Sequence, residues 1–163
     1  MANPLYGQNK FDNSIDNSTG KLVHVKATSD GTAISGGETV VLAATDAGNK
    51  YFVDISEFTA TFRLPSAYAS KGYEVSITLD INSNSEATKD LHIFTDSTAE
   101  FIIGAGNDAG VVHLSDVDND ELMFDGTKLA GDTVTLICDG LHWYANYIAS
   151  TAAVFVSGTA TRA

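Results

Sequence analysis

The sequence predicts an all-β protein: a β-sandwich or jelly-roll-like domain over residues 21–163, preceded by an extended N-terminal arm over residues 1–20. Three observations predict it. From Lys21 onward, short runs rich in Val, Ile, Thr, Tyr and Phe are separated by clusters of Gly, Asn, Asp and Ser. No apolar period of 3.6 residues persists beyond one turn, so helices have no sequence signal. Residues 1–20 break the pattern, with Pro4 and Gly7 as breakers and only isolated apolar residues at Leu5, Tyr6, Phe11 and Ile15. Such a composition cannot build a packed core alone, and it suits an arm that is either loose or ordered against a partner.

Taken in order, the expected strands are Leu22–Ala27, Thr39–Ala44, Tyr51–Asp54, Thr59–Leu64, Tyr73–Leu79 and Leu91–Thr95. Phe101–Ile103, Val111–Leu114, Glu121–Phe124, Thr133–Cys138, Trp143–Ile148 and Val154–Ser157 follow. Alternation is clearest in Tyr73–Leu79, where Tyr73, Val75, Ile77 and Leu79 share one face and Glu74, Ser76 and Thr78 the other. Pro65–Gly72 is at most a single helical turn. The strongest local signal is Asp139-Gly140 between Thr133–Cys138 and Leu141–Ile148. A two-residue type I′ turn there would set Leu136 opposite Trp143 and Val134 opposite Ala145. A longer loop, Asp139 to His142, would shift that register, and both remain open. Either places the single tryptophan, Trp143, in the core against Val134 and Leu136.

At 163 residues the chain is one domain with an arm, and about two-thirds of its unfolded surface is hidden at that size. The 21 acidic residues against 9 basic ones give a formal net charge of −12. That surface repels phosphates, so nucleic acid is not an expected partner, and no membrane partner is expected either. The acidity serves solubility, or else binds divalent cations that neutralise packed subunits. No run of about 18 apolar residues forms a membrane span. MANPLYGQNKFDNSID has neither the basic nor the apolar region of a signal peptide, so the expected site of synthesis is a cytoplasm.

Chemistry-bearing residues form no recognisable set. Cys138 is the only cysteine and sits in an apolar run, so it reads as a small buried hydrophobe. His24, His92, His113 and His142 lack metal-ligand spacing and read as surface or strand-edge histidines. Gly104-Ala-Gly106-Asn-Asp-Ala-Gly110 has no following helix to hold a phosphate. Asp116-Val-Asp118-Asn-Asp120-Glu121 offers hard oxygen ligands, but Glu121 stands where an EF-hand loop needs glycine and Thr127 where it needs a bidentate carboxylate. Asp80-Ile-Asn82-Ser-Asn84 fails similarly at Leu91. Each of these acidic stretches reads as a solvated inter-strand loop. No catalytic residue, cofactor or metal site is expected, and the protein is expected not to be an enzyme.

The order of features resembles a β module of tailed-phage structural proteins. Thr45-Asp-Ala-Gly-Asn-Lys50 leads into Tyr51-Phe-Val-Asp54, and Thr59-Ala-Thr-Phe-Arg-Leu-Pro65 is followed by Gly72 and the strand Tyr73–Leu79. Gly131-Asp132-Thr-Val-Thr-Leu136, Asp139-Gly140 and Trp143-Tyr144 close it. The opening MANPLYGQNKFD also looks like the start of small virion proteins of marine and cyanobacterial phages. The resemblance covers about residues 38–150 and the arm. It departs from the usual closing Asp-Gly-Thr-Asn-Trp by having Leu141-His142 before Trp143. It implies a capsid decoration (cement) protein, often trimeric, on the capsid exterior of a virion, with the major capsid protein and other copies of itself as partners. Pro4, Leu5, Tyr6, Phe11 and Ile15 are then the arm's capsid-contact residues. The alternative is a fibre-tip or head-fibre module, with exposed aromatics such as Tyr68, Tyr144 or Tyr147 stacking on host glycans. A virion glycosidase is the third possibility, and would need two carboxylates about 5–9 Å apart.

Overall fold

The computed structural model describes residues 22–28, 34–35, 39–84, 87–115, 118–125, 127–150 and 153–156. The expected arm and its five contact residues lie outside them. The described residues form two β-sheets, and the only helical elements among them are 3-10 turns at Ala44–Asp46, Ala67–Ala69 and Ile81–Ser83. The first sheet has eight strands in the order β2 (Ile34–Ser35), β1 (Leu22–Thr28), β4 (Lys50–Asp54), β6 (Glu74–Leu79), β11 (Thr133–Cys138), β12 (Trp143–Ala149), β8 (Ile102–Asp108) and β9 (Val111–Leu114). The second has five, in the order β13 (Ala153–Val156), β10 (Glu121–Phe124), β7 (Leu91–Phe94), β5 (Ala60–Arg63) and β3 (Thr39–Val41).

The expected all-β sandwich is therefore present, and its pairing is mixed. From β3 to β8 the chain changes sheet at every strand. As a result β3, β5 and β7 pair in parallel in one sheet, and β4 and β6 pair in parallel in the other. A parallel pair needs a crossover connection, usually a helix. Here a strand of the opposite sheet makes the crossover, so each turn of the chain adds one strand to both layers. The last third reverts to antiparallel pairing in β8–β9 and β11–β12.

Alternating side chains build the core. In β6, Val75, Ile77 and Leu79 are buried, while Glu74 is exposed and Ser76 and Thr78 are half-buried. In β12, Trp143, Ala145, Tyr147 and Ala149 point inward. Edge-to-face aromatic pairs join the layers: Tyr51 of β4 meets Phe62 of β5 at 5.5 Å, and Tyr147 of β12 meets Phe124 of β10 at 6.1 Å. Gly106 of β8 lies under the Tyr147 ring, where an added Cβ would come within 2.4 Å of it. A side chain at that position would have to displace the buried Tyr147 ring. The stretch read from sequence as a failed phosphate loop is thus a strand that leaves room for a core aromatic.

The hairpin left open between two registers takes the longer loop, Asp139 to His142. The loop after β11 has four residues, so Cys138 faces Trp143, Leu136 faces Ala145 and Val134 faces Tyr147. Trp143 is fully buried as expected, but its ladder neighbours are Cys138 and Ile102, not Val134 and Leu136. The longer loop forms because the Asp139 carboxylate accepts the N–H groups of Leu141 and His142 at 2.7 and 2.8 Å. The two-residue turn with both φ angles positive instead joins β8 to β9, at Ala109 (φ 48°) and Gly110 (φ 87°).

Candidate functional site

The residues carrying the resemblance hold the framework together. Gly131 turns the chain with φ 95°. Asp132 then accepts the Ser150 N–H and hydroxyl at 2.9 and 2.8 Å and the Leu129 N–H at 2.9 Å, tying the start of β11 to the end of β12. Asp139 holds its loop and accepts the Tyr144 hydroxyl at 3.2 Å. The His142 and Leu141 N–H groups, and then Tyr144, hold the Asp139 carboxyl below the usual carboxylate range against a smaller opposing desolvation. All of these jobs are architectural.

Cys138 is buried, as expected, and its thiol donates to the Ala67 carbonyl at 3.4 Å. Burial pushes its pKa up, the Gly140 N–H opposes this, and Asp139 and Glu100 add to it. That is the environment of an inert thiol. The expectation of a surface or strand-edge position needs correction for two of the four histidines. His92 lies on β7, inside the five-stranded sheet, where its Nδ1 pairs with Glu121 Oε1. His142 is half-buried and stacks on Phe101 at 5.2 Å. The strands β1 and β9 carry His24 and His113.

The acidic stretch leading into β10 is corrected in part: Asp118 is exposed as expected, whereas Asn119, Asp120 and Glu121 are buried. The reason is pairing: the Asp120 carbonyl accepts the Thr95 N–H at 3.0 Å and the Asn119 carbonyl the Ile102 N–H at 2.7 Å. Among the described residues no group of three or more His, Cys, Asp or Glu side chains is placed to hold a metal ion. A cleft of about 480 Å³ is lined by residues 47–50, 72 and 74–76, with Lys50 and Glu74 as its charged side chains. Of the three tyrosines considered for glycan stacking, Tyr147 is fully buried, whereas Tyr68 and Tyr144 are exposed.

What the surface does offer is an uncharged face. Ladder register puts Ile103, Tyr144 and Ile137 in one outward row across β8, β12 and β11. A second row holds Val112, Asn107 and Ile148 across β9, β8 and β12. Ile137, Tyr144 and Ile148 are exposed, as are Val111, Val112 and Leu114 of the edge strand β9. The outward residues of β11 and β12 are otherwise Thr133, Thr135 and Asn146, so that half of the sheet presents no charge. No signal in the sequence separates these apolar residues from core residues, because period two marks a face without saying which face is covered.

No protein-family model matches the chain, and no curated protein matches it.

Proposed function

We propose that this protein is a structural component of a tailed-phage virion that binds the outer capsid surface and stabilises the head by bridging capsid subunits. It acts as a homotrimer, without catalysis and without a cofactor, and is assembled onto the particle in the host cytoplasm. The observation that carries this proposal is the use made of the motif residues. Gly131, Asp132, Asp139 and Trp143, which define the resemblance, serve turns, a cross-strand tie and the core. A two-layer β body built this way is a rigid spacer, which is what a capsid clamp requires. The second reading, a fibre-tip or head-fibre module, is favoured by the exposed rings of Tyr68 and Tyr144. Tyr144 is already committed to Asp139 through its hydroxyl, which makes it a loop brace first.

The arm supplies the reach. Twenty extended residues span at most ~65 Å at about 3.3 Å each, enough to pass from one capsid subunit to the next. Ordering them costs on the order of 1–2 kcal/mol per residue, which buried Leu5, Tyr6, Phe11 and Ile15 must offset. Deleting residues 1–16 is expected to leave the far-UV circular dichroism spectrum of the β body in place and to weaken binding to purified expanded capsids about tenfold or more. Undiminished occupancy by the truncated protein would remove the arm from the binding surface.

A further inference from the structure

The strand β9 closes one side of the eight-stranded sheet, and among the described residues only β8 pairs with it. Val111, Val112 and Leu114 are 57%, 69% and 76% exposed. Register assigns Val111 to the inward side with Asp108, and Val112 and Leu114 to the outward side with Asn107 and Ala105. The strand therefore shows apolar side chains on both faces and a row of backbone N–H and C=O groups at its edge. Proteins usually blunt such an edge with charge, proline or a covering element. β9 has neither charge nor proline in Val111-Val112-His113-Leu114. Beyond it, Ile148, Tyr144 and Ile137 stay exposed on the same outward face, with Asn107, Asn146 and Thr135 interleaved between them. An exposed, uncharged face that carries this many apolar side chains marks an interaction site.

The charge distribution selects the occupant. The chain carries −12, so two copies repel over most of their surfaces. The outward residues of β11, β12 and β8 and the edge strand β9 carry no carboxylate, and Asp139 beside Tyr144 and Glu74 beside Ile137 stand at its rim, so two copies meet here with little opposing like charge. A basic partner would find no counter-charge there and would be drawn elsewhere on the molecule. We infer that copies of this chain associate through the β9 edge and the uncharged outer face of β8, β12 and β11. This rests on the trimer proposed above and names the surface that forms it.

The test is sedimentation of the full chain at micromolar concentration and near-physiological salt. It compares wild type with Val112→Lys, Leu114→Lys and Ile148→Lys, and with Val41→Lys on β3 at the far sheet edge as the control. Wild type and Val41→Lys are expected to sediment as the oligomer. The three patch variants, whose replaced side chains are all more than 60% exposed, are expected to fold and to shift toward monomer with at least a tenfold weaker association. Far-UV circular dichroism identifies any variant that fails to fold, and the remaining two decide. Folded patch variants that stay oligomeric overturn the surface while leaving the trimer standing. A monomeric wild type overturns both, and co-sedimentation with capsids then judges the virion role separately.

Discussion

Replacing Trp143 by alanine is expected to destabilise the protein by about 3–5 kcal/mol, the cost of removing a large aromatic from a packed core. Trp143 is fully buried, sits in the ladder between Cys138 and Ile102, and meets the Tyr73 ring edge-to-face at 5.4 Å. Cys138 and Ile102 are fixed by their own strand pairings and Tyr73 by its backbone bonds to Ser70 and Cys138, so the site resists collapse around the void. Chemical denaturation followed by circular dichroism measures the loss. A change under about 1 kcal/mol would mean that the four-residue loop and the register it sets are wrong. The same residue provides a check in the wild type: as the only tryptophan, its emission should be blue-shifted when folded and move toward that of exposed indole on unfolding.

Replacing Asp90 by alanine is expected to cost about 3 kcal/mol, because it weakens the pairing of a buried cation. Lys128 has a fully buried side chain, and its ammonium donates to Asp90 Oδ1 at 2.8 Å. Asp90 itself is 30% exposed, so water supports the carboxylate but does not reach the lysine. Removing the acid therefore costs more than removing the base. Lys128→Met keeps the length of the side chain without its charge and is expected to cost less than Asp90→Ala. Adding it to Asp90→Ala should recover part of the lost stability. A double variant less stable than Asp90→Ala alone would show that Lys128 is held chiefly by groups other than Asp90. The comparison is made by denaturation midpoints at constant slope.

The strands were legible where alternation or a β-branched run was unambiguous. Val111–Leu114, Glu121–Phe124 and Thr133–Cys138 agree to the residue with β9, β10 and β11. β8 was legible only at its start, within Phe101–Ile103, because Gly104, Ala105, Gly106 and Asn107 have low strand propensity. They extend as a strand because Tyr147 needs the space above Gly106. The two-residue β2 is too short to carry any period. The parallel order was invisible for a different reason: alternation records which side chains share a face, not which strand lies alongside. The hairpin register turned on the Asp139 carboxylate, a side-chain contact that outweighs the preference of Asp-Gly for a two-residue turn. The uncharged face was present in the sequence as Val111, Val112, Leu114 and Ile148, but such residues ordinarily signal core. Only the sheet order shows that nothing among the described residues covers them.

The measurement that bears most directly on the proposed role is the copy number of this protein on purified particles, by quantitative mass spectrometry against the major capsid protein. A clamp that bridges capsid subunits must be present wherever its lattice site recurs. Hundreds of copies per head, released together when capsids are disassembled, is the result expected. A handful of copies that co-purify with tails or fibres, or none at all, would contradict the account.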